Sequence, residues 1–353
     1  MGLPEVVIEF QEKRSNFIHR LGRGMVAIPF VGASFTTSVV AVAAEADDVE
    51  TSLGESFPAD QKETVTAEML RAINNGASKV IAVCAKDVTT AQSLLTAQRF
   101  NYLAIGGLED TDQTSMVTWA KGKKYCCGRN FIIIGGSALA EEPDYHIVAL
   151  DDVNLTDPDM TTAAIAGILA GLSRESGTYY VVDRNTDGTG YATEDQADSD
   201  NDDGIITVFY DGEKAKLSRA VTTYYAEDPD SAYAKIRNVD AMNMIIDDIT
   251  DSFIENYVGK VLNSYDKKMA MVGIINQNYL GGLANDVLDP DGVNKVDVDV
   301  EAHKELAKTI GEDVSTMTEM ELRKYPTGAK VFLAGSVRFL DTMEDLKIIF
   351  VIE

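Results

Sequence analysis

Cysteine, histidine and tryptophan are scarce in this chain: three, three and one among 353 residues. Cys84, Cys126 and Cys127 are an odd number with no Cys-x-x-Cys pair. That argues against a disulfide framework and a cysteine zinc site. Cys84 lies in an apolar run and reads as a small core residue. His19, His146 and His303 each stand alone, with no obvious serine, cysteine or metal-ligand companion, and read as surface or structural residues. No Gly-x-Ser-x-Gly elbow, His-Glu-x-x-His pair or Walker A loop occurs. The sequence therefore predicts no catalytic residue and no organic cofactor.

Long apolar runs are also missing. No stretch reaches 18 residues, so no segment is expected to cross a bilayer as a helix. The first ten residues lack a basic stretch and a long apolar core. No secretory signal is expected, and the chain is expected to stay in the cytoplasm where it is made. Positive charge is outweighed: 31 basic residues face 57 acidic ones, a net charge of −26. Such a surface repels nucleic acid and anionic lipid, so neither is an expected partner. Self-repulsion keeping a concentrated subunit soluble is the simpler reading of the acidity.

What is present is ordinary globular text, 45% hydrophobic and 25% charged, long enough for two or three domains. From residue 24 strands and helices alternate. Strands are expected at 25–30, 79–84, 102–105, 131–134, 146–150 and 178–182. Helices are expected at 60–75, 89–98, 112–121 and 161–172. Repeated β-α-β text of this kind argues for an α/β layer with a mostly parallel sheet. Residues 183–203 read as a polar loop. Residues 205–217 read as a hairpin turning on Asp211-Gly212 in a type I′ turn.

The last third differs. Ile236, Val239, Met242, Ile246, Ile249, Phe253 and Tyr257 recur every three or four residues, which predicts a long amphipathic helix within 231–262. Val272, Ile275, Tyr279 and Leu283 suggest another helix. Val296, Val298 and Val300 alternate with Asp297 and Asp299 as a one-sided strand, and a helix follows at 301–310. Two closing strands, 330–340 and 347–352, are joined by 341–345. At the other end Val6, Ile8 and Phe10 share one face of an extended segment, tied to the body by a polar stretch, 11–23.

Two near-motifs occur. Gly22, Gly24 and Ala27 fit a loose dinucleotide pattern, but that loop must follow a strand and open a helix, and here it precedes a strand. Asp183, Asn185, Asp187 and Glu194, with Gly188, match the spacing of an EF-hand loop. The ten acidic side chains between Asp183 and Glu213 would favour a cation there. The preceding text is strand rather than helix, and Asp, Asn, Thr and Gly serve any exposed loop. The spacing makes a calcium site at those four residues an expectation.

Several segments, in order, resemble a known family. These are Met1-Gly2-Leu3-Pro4-Glu5-Val6-Val7-Ile8-Glu9-Phe10, Gly22-Arg23-Gly24-Met25-Val26-Ala27 and Ile246-Asp247-Asp248-Ile249. Next come Asn256-Tyr257-Val258-Gly259-Lys260-Val261, Asn263-Ser264-Tyr265-Asp266 and Val287-Leu288-Asp289-Pro290. Val298-Asp299-Val300-Glu301-Ala302, Thr327-Gly328-Ala329-Lys330-Val331-Phe332-Leu333 and Leu340-Asp341-Thr342-Met343-Glu344-Asp345-Leu346 complete the set. The chain resembles the tail sheath proteins of contractile phage tails and R-type bacteriocins of Gram-positive type. Residues 47–203 match only in texture.

The resemblance implies a multi-domain subunit, α/β in class and α+β overall. Its parts would be an N-terminal arm (1–22), an α/β body with one or more inserted subdomains (23–230), a C-terminal α+β domain (231–327) and a C-terminal hairpin or arm (328–353). It implies six-membered rings stacked around a tail tube, with arms joining strands of neighbours. It also implies a tube protein, a baseplate and a tail terminator as partners, and a mature particle outside the cell. The arm strands would carry Val6, Val7, Ile8, Phe10, Val331, Leu333, Ile348, Ile349, Phe350, Val351 and Ile352. Two other readings stay open from the residues alone: a nucleotide-dependent α/β enzyme, and a strand-exchanging filament or adhesion protein.

Overall fold

The computed structural model describes residues 18, 22–55, 57–122, 131–135, 143–151, 161–172, 175–184 and 186–352. They form two compact units: Gly22–Met244 with Asp341–Glu353, and Ile245–Leu340 with Ile18. The division falls inside the long helix expected from the sequence.

The larger unit is built on a seven-stranded sheet. Its strands are β1 (Met25–Val31), β2 (Val39–Ala43), β3 (Lys79–Ala85), β4 (Tyr102–Ala104), β5 (Phe131–Gly135), β6 (Ile147–Leu150) and β8 (Ile205–Ile206). The order is β2-β3-β1-β4-β5-β6-β8. All pairings are parallel except β2 with β3, at the edge. The strand text explains why. Lys-Val-Ile-Ala-Val-Cys-Ala in β3 is apolar on both faces, as a strand covered by helices on both sides must be. Val80, Ala82 and Cys84 enter one core, and Ile81, Val83 and Ala85 the other. Burial pushes the Cys84 thiol up to about 12, so it stays protonated as a core residue.

Helices α2 (Ala59–Asn74) and α5 (Thr162–Gly171) cover the first face; α3 (Val88–Thr96) and α4 (Asp110–Lys121) cover the second. A short helix, α1 (Val49–Leu53), precedes α2. Helix α5 is apolar nearly all round, with eight buried residues. It lies so close to α2 that a Cβ on Gly167 would stand 2.4 Å from the Ala72 carbonyl oxygen. Gly24 is explained likewise. Its φ is +83°, and a Cβ there would meet the Ala170 carbonyl oxygen at 2.8 Å. The glycine serves the close approach of β1 to the end of α5, and the loop runs into a strand as the sequence indicated.

Three sequence expectations are corrected here. The polar stretch 183–203 is not all loop: it contains α6 (Glu194–Asp202), opened by a capping box between Thr193 and Gln196. Its side chains are polar except Ala197, which hid it from a search for apolar periodicity. Residues 205–210 are not one strand. β8 joins the main sheet, while β9 (Val208–Tyr210) pairs with β10 (Ala215–Leu217), and β7 (Val181–Asp183) completes a separate three-stranded sheet. The hairpin loop spans four residues instead of two. The Asp211 carboxylate accepts from the Glu213 and Lys214 amides, and the Asp211 amide donates to the Lys214 carbonyl. That side-chain capture of the backbone replaces the type I′ turn. The edge strand β2 was not foreseen.

In the smaller unit, α7 (Ile236–Asn256), which starts in the larger one, leads to α8 (Tyr265–Gly273). A wide helical stretch, Ile274–Leu280, and the short α9 (Gly281–Leu283) continue from it. Val272, Ile275, Tyr279 and Leu283, the stripe expected for this helix, are all buried. The Tyr279 hydroxyl donates to the buried Asp248 carboxylate at 2.7 Å. β11 (Lys295–Val298) pairs antiparallel with β12 (Leu333–Ser336), setting Val298 opposite Leu333. Between them lie α10 (Val300–Thr309), capped by Asp299, and α11 (Glu319–Lys324), capped by Thr318.

His303 of α10 is fully buried. Its Nδ1 lies 2.8 Å from the Leu322 carbonyl oxygen, so Nδ1 carries the proton and Nε2 faces Lys268 Nζ at 3.5 Å. Burial first, then the Lys268 charge, hold this imidazole below its ordinary 6.5; the Leu322 carbonyl and Asp299 oppose them. An unfolded histidine takes up a proton below that pH while the folded one does not. Stability against urea is therefore unchanged above about 6.5 and falls as pH drops through the interval below it. Replacing His303 with Gln should flatten that slope between pH 7 and 5. An unchanged slope would remove His303 as its source.

Candidate assembly segment

The site begins where β12 ends. Residues 337–340 run beside 287–289: Asp289 N donates to the Arg338 carbonyl (2.8 Å), and Leu340 N to the Val287 carbonyl (2.9 Å). The strand expected at 330–340 is thus shorter, four residues and one isolated bridge at Phe339. Leu333 is paired within the chain, to Val298, and Val331 lies just before that strand.

Asp341 to Asp345 are then fixed to the larger unit by charge. Arg219 Nη1 lies 3.2 Å from Glu344 Oε2, and Nη2 lies 2.6 Å from Asp345 Oδ1. The bond to Asp345 pushes the Arg219 guanidinium above its usual range. Thr178 Oγ1 donates to Glu344 Oε1 at 3.0 Å, and Lys235 pairs with Asp341. Glu344 is the centre of this clamp, its side chain only 10% exposed. Sequence reading missed Arg219, Lys235 and Thr178. Their partners lie more than a hundred residues away, and no local pattern marks them.

Beyond the clamp the apolar run is bare. Ile348 is 59% exposed, and exposure rises through Ile349, Phe350 and Val351 to 95% at Ile352. Among the described residues this run has no ladder partner. The strand expected at 347–352 is thus not formed within the subunit, and five consecutive exposed apolar side chains offer a surface for pairing. The proposed N-terminal strand residues Val6, Val7, Ile8 and Phe10 lie outside the described residues. Ile18 is described, and it shares a small apolar pocket with Ile249, Phe253, Met271 and Ile275.

An Arg219→Ala variant should loosen the clamp without unfolding the body. Partly exposed ion pairs are worth about 0.2–1 kcal/mol each. Hydrogen exchange of the 342–346 amides should rise several-fold, while the melting temperature falls by only a few degrees. Unchanged exchange would show that the segment is held by something else.

The calcium expectation meets a different geometry. Asp183 ends β7, and Asp187 Oδ1 accepts from the Thr189 amide at 3.0 Å, which holds its carboxyl below the usual range. Glu194 opens α6, and Gly188 packs on the Tyr210 ring. Among the described residues no three of His, Cys, Asp and Glu stand close enough to hold a metal ion. Asn185 lies outside them. The setting is strand–turn–helix rather than helix–loop–helix. Of the histidines, His146 Nε2 lies 3.3 Å from Asn243 Oδ1, and His19 is outside the described residues.

One unit is a doubly wound body that carries a charge-clamped, exposed apolar run, and the other holds, among the described residues, a two-stranded sheet. No family model matches the sequence. The chain is 27% identical to the tail sheath protein of Clostridium phage phiCD119, over 98% of both chains. Its fold matches the contracted helical sheath of the anti-feeding prophage, with a TM-score of 0.68 at 14% identity over 99% of both chains. It also matches a chain of the anti-feeding prophage baseplate, with a TM-score of 0.63 at 14% identity over 100% of this chain and 99% of the other. By sequence and by fold the chain is thus similar to the sheath proteins of contractile tails.

Proposed function

We propose that this sheath subunit polymerises around a tail tube by lending its terminal strands to neighbouring copies. The observation that carries this is the bare run 348–352 beyond the Arg219–Glu344 clamp. A second supports it: among the described residues β11 and β12 form a sheet of two strands, which is marginal alone and gains from added strands. An extended segment adding to a sheet edge is a known mode of recognition. Each arm contributes a few backbone hydrogen bonds, about 0.5–1.5 kcal/mol net apiece. Several per subunit in one lattice become strong through effective concentration. A contact that does not close on itself yields an open helical filament.

In this reading Val6, Val7, Ile8 and Phe10 form the second arm strand, and the 331–333 segment lies at the acceptor. The rings would be six-membered and would contract to drive the tube forward. Tube, baseplate and tail terminator proteins would be the partners, and the particle would act outside the cell that made it. Negative-stain microscopy of the purified chain tests the reading: tubes or stacked rings are expected. A protein that stays monomeric at high concentration, with and without tube protein, would overturn it.

A further inference from the structure

The smaller unit holds a buried cation with no anion of its own. Lys268, on α8, is 5% exposed. Its Nζ donates to Thr327 Oγ1 at 2.9 Å and faces the lone pair of His303 Nε2 at 3.5 Å, both neutral. Among the described residues no carboxylate pairs with it. An ammonium taken out of water without a counter-ion is destabilising, and chains rarely tolerate it unpaired. Lys268 also lies on the lining of a cavity of about 330 Å³. Phe253, Tyr257, Leu262, Met271 and Val331 supply its apolar walls. Asn263 fixes one rim, its Nδ2 donating to the Gly328 and Lys330 carbonyls at 2.7 and 2.8 Å. The cavity is therefore greasy, with one buried positive charge.

We propose that this cavity is a socket for the C-terminal segment of a second copy, with the Glu353 carboxylate as the missing partner of Lys268. Charge and pattern select this occupant. Residues 346–352 carry no acidic side chain, and Glu353 follows directly on the exposed apolar run. Lys347 precedes the apolar run and Glu353 follows it, and the lining carries Lys267 as well as Lys268, so an apolar run followed by a carboxylate meets apolar walls that carry ammonium groups. This rests on the arm-lending reading above and names the contact that gives it polarity. An ion pair completed only on binding makes the free subunit less stable than it could be and makes the joint specific.

The test uses a labelled, amide-capped peptide of residues 346–353 with a solubilising N-terminal tail. The receptor is the full chain carrying Ile349→Pro, whose own arm does not compete. Fluorescence anisotropy should show at least tenfold weaker binding of the Glu353→Gln peptide. In a receptor that also carries Lys268→Met the two peptides should bind equally, while Lys268→Arg should keep the preference. The Lys268→Met chain should melt no lower than its parent, because an unpaired buried charge has been removed. No binding, equal binding of both peptides to the Lys268 receptor, or a preference that survives Lys268→Met would overturn the proposal. So would a peptide of residues 4–12 that competes with Glu9 as its critical acid. Discriminating binding by a chain that never forms tubes would leave the socket standing and remove the sheath-assembly reading instead.

Discussion

Ile349→Pro should abolish tube formation while the monomer melts within a few degrees of wild type. Proline cannot donate a ladder hydrogen bond and is confined to strand edges. The structure makes the separation of effects sharp, because Ile349 is 78% exposed and has no strand partner among the described residues. Removing its N–H costs the folded subunit almost nothing. In a polymer the same change removes a bond from every inter-subunit ladder. Ile8→Pro should act alike if the N-terminal segment is the second arm. The measurement pairs a melting curve with microscopy of the same sample. Normal tubes from Ile349→Pro would refute strand lending through 348–352. Outright unfolding would show that the segment belongs to an intramolecular sheet.

Gly167→Leu should be the most damaging single change in the larger unit. The new Cβ would stand 2.4 Å from the Ala72 carbonyl oxygen and 2.9 Å from its Cα. Both are backbone atoms of α2, which cannot rotate away as a side chain can. Overpacking of cores costs about 1–3 kcal/mol, and a backbone clash lies at or beyond the top of that range. We expect insoluble protein or a midpoint lowered by at least 3 kcal/mol equivalent in urea. Gly273→Ala, a helical position with nothing within 4 Å of the added methyl, should instead gain about 0.5–1 kcal/mol. If Gly167→Leu were as mild as Gly273→Ala, the close packing of α2 on α5 would be wrong.

The parallel sheet was legible because buried strands such as β3 are apolar on both faces, and few other structures need that text. The stripe Val272, Ile275, Tyr279 and Leu283 was legible for the same reason in helical period. Lys268 sits on that stripe, four residues before Val272, so a charged residue in a buried register was already a visible anomaly. Helix α6 was not legible, since its stability comes from the Thr193–Gln196 cap and two buried contacts, at Ala197 and Asn201. The clamp was invisible because Arg219 and Glu344 are 125 residues apart. The apolar run at 347–352 was visible in the sequence, but the strand expected there is not formed in the subunit, and nothing in the text showed what anchors the segment. The acidic spacing at 183–194 matched a known loop while the backbone used those residues to turn and cap.

The clamp at Asp341 to Asp345 sets the length of a leash. Seven residues separate Asp345 from Ile352, and an extended chain spans at most about 3.3–3.6 Å per residue. In the assembly proposed above, whatever receives the strand must lie within about 25 Å of Asp345. Sliding of one subunit past another inside that radius leaves the link intact. Sliding beyond it loads the clamp before the strand, because partly exposed ion pairs at about 0.2–1 kcal/mol each yield sooner than a ladder of backbone bonds. Release of 341–345 would then pay out roughly 17 Å of further chain. The arrangement behaves as a mechanical fuse with slack behind it: overload lengthens the connection instead of severing it.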